Sequence, residues 1–352
     1  MKILHVTCDG RGALAGRTAR WLGMDFTVAR FTIEDLVRFE HDPARAPRVR
    51  RDALRRAIED VEAFDGVYAE APEAVLLHYV RTRQRRRPVR WVVNVVDLLE
   101  RVDPIRRLVR GAYGDDPLAI AAADPAVRWY VTTRAHASPL LAAGLPPERL
   151  AFVPANTAQA PILPGAVDAL EGARTRSIAA PLREIAGGFL LAGVNNRDVA
   201  TLAAAAEQAR IPVHVLTDLE RVPAVPSPSL TYHGLVPLAD FVGAVAAARV
   251  VVVALHAGPG SCGQQTIAIA QHVRTLVVAS DVPAVRDYVA DGVSGILVPP
   301  EDAPALAAAL RRAADEPRRA ALVEEGFRRN VRDNARVASF FRESFGPAAA
   351  IG

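Results

Sequence analysis

The feature that most constrains the fold is an alternation of short apolar runs with helical stretches, which occurs in two series along this 352-residue chain. Such alternation predicts parallel strands with helices on both faces, and therefore two Rossmann-like, doubly wound α/β domains. The first series has candidate strands at 2–8, 66–70, 90–97, 128–133 and 149–156, and arginine-rich helical stretches such as 45–63 and 74–87. The second has candidate strands at 189–194, 212–218, 230–236, 249–255, 275–281 and 295–300, and helices at 198–210, 238–248, 303–315 and about 317–345.

A stretch containing prolines and glycines, residues 157–188, interrupts the alternation and predicts the inter-domain linker. A chain of this length suits two domains. We expect an N-terminal domain at 1–165, a C-terminal domain at 185–330, and a tail helix at about 330–352 that packs back on the first domain. Two domains of this kind would face each other across a ligand cleft at the carboxyl ends of both sheets.

The composition excludes several classes of protein. Apolar residues make up 51% and charged residues 23%, as in globular proteins, and no apolar run reaches membrane-spanning length. The first residues show no signal-peptide pattern, and Cys8 and Cys262 are too few for a disulfide framework, so we expect a cytoplasmic protein. The net charge is +4, and its positive side chains are almost all arginine, as is common in proteins from bacterial genomes rich in G and C. No basic motif with interspersed aromatic residues predicts nucleic-acid binding.

The stretch "GPGSCGQQTIAIAQHVRTLVVASD" at 258–281 carries the clearest chemistry. With Gly263 at the start of a helix, free backbone N–H groups and the helix dipole would form a site for an anion, and phosphate is the expected ligand. Gly258, Gly260 and Gly263 would let the backbone approach that anion. The alternative is an ordinary tight turn into a helix.

The order of these motifs resembles the carboxyl-terminal domain of GT-B-fold glycosyltransferases, particularly family 4 (group 1). After the glycine-rich stretch come Ser280-Asp281-Val282-Pro283, Asp291-Gly292, Gly295 and Pro299-Pro300, in the family's order. The resemblance covers about 189–345 well and 1–156 only in outline.

The resemblance implies a set of site residues. Arg197 stands where the family has a lysine for the donor diphosphate, and a guanidinium can clamp two phosphate oxygens. Arg197 and Asp97 are the candidate catalytic residues, with Asp97 orienting an acceptor hydroxyl or merely capping a helix. The candidate donor-binding residues are Gly10, Gly12, Asn196, Arg197, His233, Gly234, Cys262, Gly263, Gln264, Gln265 and Thr266.

Three further positions depart from the family. Its two donor-site glutamates fall at Ser261 and Ile269, and its first-domain histidine falls at Val96. Gln265 or Thr266 could replace the glutamates by hydrogen bonding, and Ile269 suits a core position.

The implied reaction transfers a sugar from a UDP-, GDP- or dTDP-linked donor to a small-molecule or glycan acceptor, with retention of configuration and with no metal or other cofactor. The basic stretches 48–56 and 81–90 could hold the first domain at an anionic membrane, or could simply be solvated. The three departures from the family favour a second interpretation, in which the protein has lost catalysis and binds a nucleotide sugar or a partner. An epimerase and a nicotinamide oxidoreductase are weaker alternatives, since no acid–base carboxylates and no G-x-G-x-x-G spacing support them.

Overall fold

A computed structural model describes residues 2–7, 25–30, 33–38, 48–95, 98–142, 144–154, 180–258 and 262–345. The chain divides into two compact units. The first comprises Met1–Val153 with Ala338–Gly352, and the second comprises Pro154–Val337.

The first unit contains a parallel sheet of six described strands in the order β2-β1-β5-β6-β7-β8. Its strands are β1 (Lys2–Thr7), β2 (Asp25–Arg30), β5 (Gly66–Glu70), β6 (Arg90–Asn94), β7 (Val127–Val131) and β8 (Leu150–Phe152). A short antiparallel pair, β3 (Val37–Arg38) and β4 (Arg48–Val49), lies outside that sheet.

The helices of this unit cover the sheet and bury its apolar runs. They are α1 (Ile33–Leu36), α2 (Arg51–Glu62), α3 (Ala71–Arg83), α4 (Leu98–Tyr113), α5 (Pro117–Ala123) and α6 (Ala137–Ala142). Helix α5 begins at a capping aspartate, Asp116, whose carboxylate accepts hydrogen bonds from the backbone N–H groups of Leu118 (3.1 Å) and Ala119 (3.4 Å). The same carboxylate binds Arg106 at 2.7 Å and so ties α5 to α4.

The second unit contains a parallel sheet in the order β11-β10-β9-β12-β13-β14. Its strands are β9 (Phe189–Ala192), β10 (Val213–Leu216), β11 (Leu230–Tyr232), β12 (Val250–Val253), β13 (Leu276–Ser280) and β14 (Ile296–Val298). Strands β9, β12 and β13 are apolar along most of their length because both faces of the sheet are buried. In this order the chain reverses direction across the sheet between β9 and β12, which is where open α/β sheets bind ligands.

Two apolar cores, one on each face of this sheet, hold the second unit together. Its helices are α7 (Val199–Ala209), α8 (Leu238–Ala247), α9 (Gln264–His272), α10 (Pro283–Arg286), α11 (Ala303–Ala314) and α12 (Arg319–Phe345).

The long helix α12 begins in the second unit, and its residues from Ala338 onward belong to the first. Phe340 and Phe341 are buried there against Tyr130, with ring centroids 5.4 and 6.2 Å away, and Phe341 also contacts Tyr68 at 5.5 Å. The end of the chain therefore supplies part of the aromatic core of the first unit.

The predicted fold class, two Rossmann-like parallel sheets, is confirmed. The sequence patterns did not identify β2, a short six-residue run, or α4, which carries Pro104 inside the helix. No described helix combines the length and the apolar character needed to cross a membrane.

We predict that Gly295→Ala destabilises the second unit. A Cβ at this position would lie 2.8 Å from Cγ1 of Val289 and 2.9 Å from the backbone oxygen of Val277, so β13 and β14 would have to shift. Overpacking of this kind costs about 1–3 kcal/mol, which for a unit of this size lowers the melting temperature by several degrees in calorimetry.

The control is Gly243→Ala, in the interior of α8, where an added Cβ meets no atom within 4 Å. This substitution should raise stability by about 0.5–1 kcal/mol, because alanine loses less backbone entropy than glycine. An equal effect of both substitutions would contradict the packing described around Gly295.

Candidate functional site

The candidate site lies where the chain leaves β9 and β12, the two central strands of the second sheet. Arg197 forms an isolated antiparallel bridge with Leu255. The backbone N–H of Asp198 donates to Ala254 O at 3.0 Å, and that of His256 donates to Asn196 O at 3.3 Å. The loop after β9 is thus fixed to the segment after β12.

The guanidinium of Arg197 is buried inside this loop, and the residue is only 7% exposed. Its Nε and Nη2 donate to Ala192 O at 3.1 and 2.8 Å, and its Nη1 donates to Asn195 O at 2.7 Å. Nη2 also donates to Oγ1 of Thr266 at 3.3 Å. All of these acceptors are neutral oxygens.

No carboxylate of the described residues lies within ion-pair distance of Arg197. Burial lowers the pKa of Arg197 to about 10, and the nearby Cys262 acts in the opposite direction. The group therefore stays protonated at neutral pH, and the site holds a buried positive charge that the described part of the chain does not neutralise.

Gly193 makes room for that guanidinium. Its φ is +109°, and a Cβ there would lie 2.0 Å from Nη2 of Arg197. Only glycine is compatible with both the backbone conformation and the position of the arginine.

The first turn of α9 lies next to this charge, since Thr266 contacts Arg197. Gly263 is the N-cap residue, with φ of +84°, and a Cβ there would meet Cγ1 of Val253 at 2.7 Å. Because a glycine cap supplies no side-chain acceptor, the N–H groups of this turn and the helix dipole add positive potential. Gln264 and Thr266 are buried, and Gln265 is exposed.

The structure thus brings together most of the predicted phosphate site. Arg197, Thr266 and Gly263 lie at the ends of β9 and β12, and Cys262 is close enough to Arg197 to influence its charge. Asn196 lies on the exposed side of this loop with φ of +54°, and its Nδ2 donates to His256 O at 3.1 Å.

A carboxylate that the sequence patterns did not identify borders this loop. Oε1 of Glu301 accepts from the backbone N–H of Ala257 at 3.2 Å and lies 3.4 Å from Nδ1 of His256. Since 45 residues separate Glu301 from His256, no local spacing could have indicated this contact.

Ser280 ends β13 and Asp281 follows it, and the two side chains lie in different surroundings. Ser280 is buried, and its Oγ accepts from the backbone N–H of Leu255 at 2.9 Å, which joins the ends of β12 and β13. Asp281 is paired with Arg286 at 2.6 Å, and the Arg286 guanidinium lowers the pKa of that carboxyl.

His233 and Gly234 follow β11, two strands away from β9 in the sheet. The ring of His233 contacts Nδ1 of His214 at 3.0 Å, whereas Gly234 adopts φ of +68° with open space around it. Among the described residues, no hydrogen bond or ion pair joins His233 to Arg197.

The remaining sequence predictions divide into two groups. Gly10, Gly12, Asp97 and Ser261 lie outside the described residues. Ile269, the position of the family's second glutamate, is 6% exposed and belongs to an apolar core of the second unit, as its side chain suggests.

Some arginines of the basic stretches 48–56 and 81–90 have a structural role. Arg81 is buried and donates to Arg87 O at 2.9 Å, and Arg86 pairs with Glu62 at 3.1 Å. Arg51 and Arg55 on α2 are exposed. Contact of the remaining arginines with an anionic membrane stays one of the two alternatives that the sequence left open.

Residues 189–316 match the family model for glycosyl transferases group 1. Among curated protein sequences, none matches this chain significantly. The resemblance to group 1 glycosyltransferases of the GT-B fold is confirmed, whereas the narrower assignment to family 4 stays a prediction.

Several solved structures are similar over nearly the whole chain. HepE of Anabaena, solved in complex with UDP and glucose, has a TM-score of 0.63 at 13% identity, covering 97% of this chain and 100% of its own. A glycosyltransferase of Rickettsia africae has a TM-score of 0.65 at 10% identity, covering 99% of both chains. Sucrose-phosphate synthase of Thermosynechococcus elongatus has a TM-score of 0.62 at 16% identity, covering 99% of this chain and 100% of its own. The chain thus has the GT-B fold of these glycosyltransferases, and residues 189–316 of its second unit are similar to the group 1 glycosyltransferase family.

Proposed function

We propose that this chain transfers a sugar from a nucleotide-diphosphate donor to an acceptor hydroxyl, and that Arg197 and the first turn of α9 bind the donor's diphosphate. The observation that carries the proposal is the buried guanidinium of Arg197, which has no counter-charge among the described residues and contacts Thr266 in that turn.

A buried cation without a partner is unfavourable, and an anion bound beside it removes that cost. Four of the five guanidinium N–H donors bind protein oxygens, which leaves a donor on Nη1 for a ligand oxygen. A diphosphate would gain from this charge, from the N–H groups of the α9 turn and from the helix dipole together.

The same arrangement suits the chemistry of the transfer. The bond between the sugar C1 and the diphosphate oxygen breaks, its electron pair stays on that oxygen, and C1 forms a new bond to the acceptor oxygen. The charge that develops on the leaving diphosphate would lie against Arg197 and the helix N-terminus, where fixed positive groups stabilise it without reorganisation. The resemblance to group 1 enzymes adds retention of the anomeric configuration and a reaction without a metal ion or other cofactor.

A UDP-sugar is the first donor to test, because HepE of Anabaena was solved with UDP and with UDP-glucose. GDP and dTDP sugars are the alternatives. We propose a small-molecule or glycan acceptor, oriented by Asp97, and a cytoplasmic reaction that could take place at an anionic membrane surface.

A second candidate is a degenerate protein that binds a nucleotide sugar without transferring it. It is favoured by Ile269, which fills a core position where the family has a donor-site glutamate. Release of UDP from UDP-glucose, with or without an acceptor, separates the two candidates, since the degenerate protein would bind UDP and release none from the donor.

We predict that one of UDP, GDP and dTDP binds the full chain in calorimetry and that Arg197→Met weakens this binding about 10- to 100-fold, as expected for the loss of hydrogen bonds to a charged group. The control is Arg221→Met, an exposed arginine of the same unit, 3.9 Å from Asp218. If no nucleoside diphosphate binds, or if both variants bind equally, Arg197 is not the diphosphate ligand.

We also predict that Arg197→Met changes the free energy of unfolding by less than about 1 kcal/mol when no nucleotide is present, because the removal of a buried charge that has no counter-charge among the described residues offsets the loss of its hydrogen bonds to Ala192 and Asn195. Urea denaturation of the unliganded protein measures this, again beside Arg221→Met. A loss of about 3 kcal/mol or more would instead identify the guanidinium as a structural brace for the carbonyls of Ala192 and Asn195.

A further inference from the structure

Two histidines and a glutamate come together at the side of the second sheet formed by β9, β10 and β11. His214 lies on β10, His233 directly follows β11, and Glu184 lies in the short 3-10 helix Ala180–Ile185 that precedes β9. Intervals of 30 and 19 residues separate them in the chain, so no sequence motif indicates the cluster.

The three side chains present their ligand atoms at the spacing of a metal site. Nδ1 of His214 lies 3.0 Å from Nε2 of His233, which lies 3.7 Å from Oε1 of Glu184. All three atoms lie within 4.8 Å of one another. Ligand atoms about 2.0–2.1 Å from a tetrahedral Zn²⁺ are about 3.3 Å apart, which falls between the two contact distances.

The cluster is buried on the side of His233 and open to solvent on the side of Glu184. The side chain of His233 is 7% exposed, whereas that of Glu184 is 57% exposed, so an ion can enter from the glutamate side. Gly188 lies beside the ring of His214, where an added Cβ would be 3.5 Å from the ring.

The chemistry of the three ligand atoms also suits a metal ion. A neutral imidazole is the form that binds metal ions, and two nitrogens with a carboxylate are a ligand set that suits Zn²⁺.

We propose that Glu184, His214 and His233 bind one divalent transition-metal ion of the Zn²⁺ class, with a fourth position left for water. The ion replaces the contact between the two rings, so that the lone pairs of Nδ1 of His214 and Nε2 of His233 both point at the metal. It joins the 3-10 helix before β9 to β10 and β11. The site is distinct from the proposed diphosphate site, and its existence does not depend on the transferase activity.

The test uses the untagged full chain after treatment with a chelator. Zn²⁺ is titrated in competition with a chromophoric chelator, and Co²⁺ is titrated while its visible absorption is followed. We expect one equivalent of Zn²⁺ per chain, a Co²⁺ spectrum of the intense tetrahedral type, and no competition by Mg²⁺, which prefers oxygen ligands.

The variants His214→Gln and His233→Gln should each bind Zn²⁺ at least about tenfold more weakly, and Zn²⁺ should no longer raise their melting temperatures. His136→Gln, in a 3-10 helix of the first unit, is the matched control and should bind as the wild type does. Melting temperatures without metal show whether each variant folds.

Two results would overturn the proposal. One is the absence of stoichiometric Zn²⁺ binding to the wild-type chain, even if the histidine variants are less stable, because the rings then form only a hydrogen bond. The other is equal Zn²⁺ affinity of His214→Gln, His233→Gln and the control, because the ion then binds elsewhere.

Discussion

The second unit is organised around a positive charge held inside a loop at the reversal point of its sheet. The loop after β9 turns two backbone oxygens, those of Ala192 and Asn195, toward the Arg197 guanidinium. Gly193 leaves the space that the guanidinium fills, and the bridge to Leu255 fixes the loop against the end of β12. The dipoles of these carbonyl groups offset part of the free-energy cost of burying the charge. Because part of that cost remains, binding of an anion at this site is favourable.

Helix α9 begins beside this reversal point, and Gly263 fixes where its first turn lies. Gly263 must be a glycine both for its backbone conformation and for its approach to Val253 on β12, and this places Thr266 against Arg197. Ser280 fixes the neighbouring strand end by accepting from the N–H of Leu255. Hydrogen bonds thus join the ends of β9, β12 and β13, and groups fixed in this way can act on a ligand with little reorganisation.

The sequence predicted the fold, and it singled out Arg197, Gly263 and Thr266, which the structure places close together, because both depend on local signals. Apolar runs marked the central strands, and "CGQQT" marked the start of α9. It could not predict that Arg197 is buried with only neutral partners, that Glu301 reaches Ala257, or that His214 meets His233. These contacts depend on which strands become neighbours, and chain spacing does not carry that information.

The last helix has a consequence for how such chains can be cut and recombined. Phe340 and Phe341 belong to the aromatic core of the first unit, although they follow the second unit in the chain. A fragment that ends near Val153 would leave Tyr68 and Tyr130 without these rings. A functional chimera with a related enzyme must therefore have two crossover points, one in the linker and one inside α12, so that the amino-terminal half keeps its own carboxyl-terminal segment.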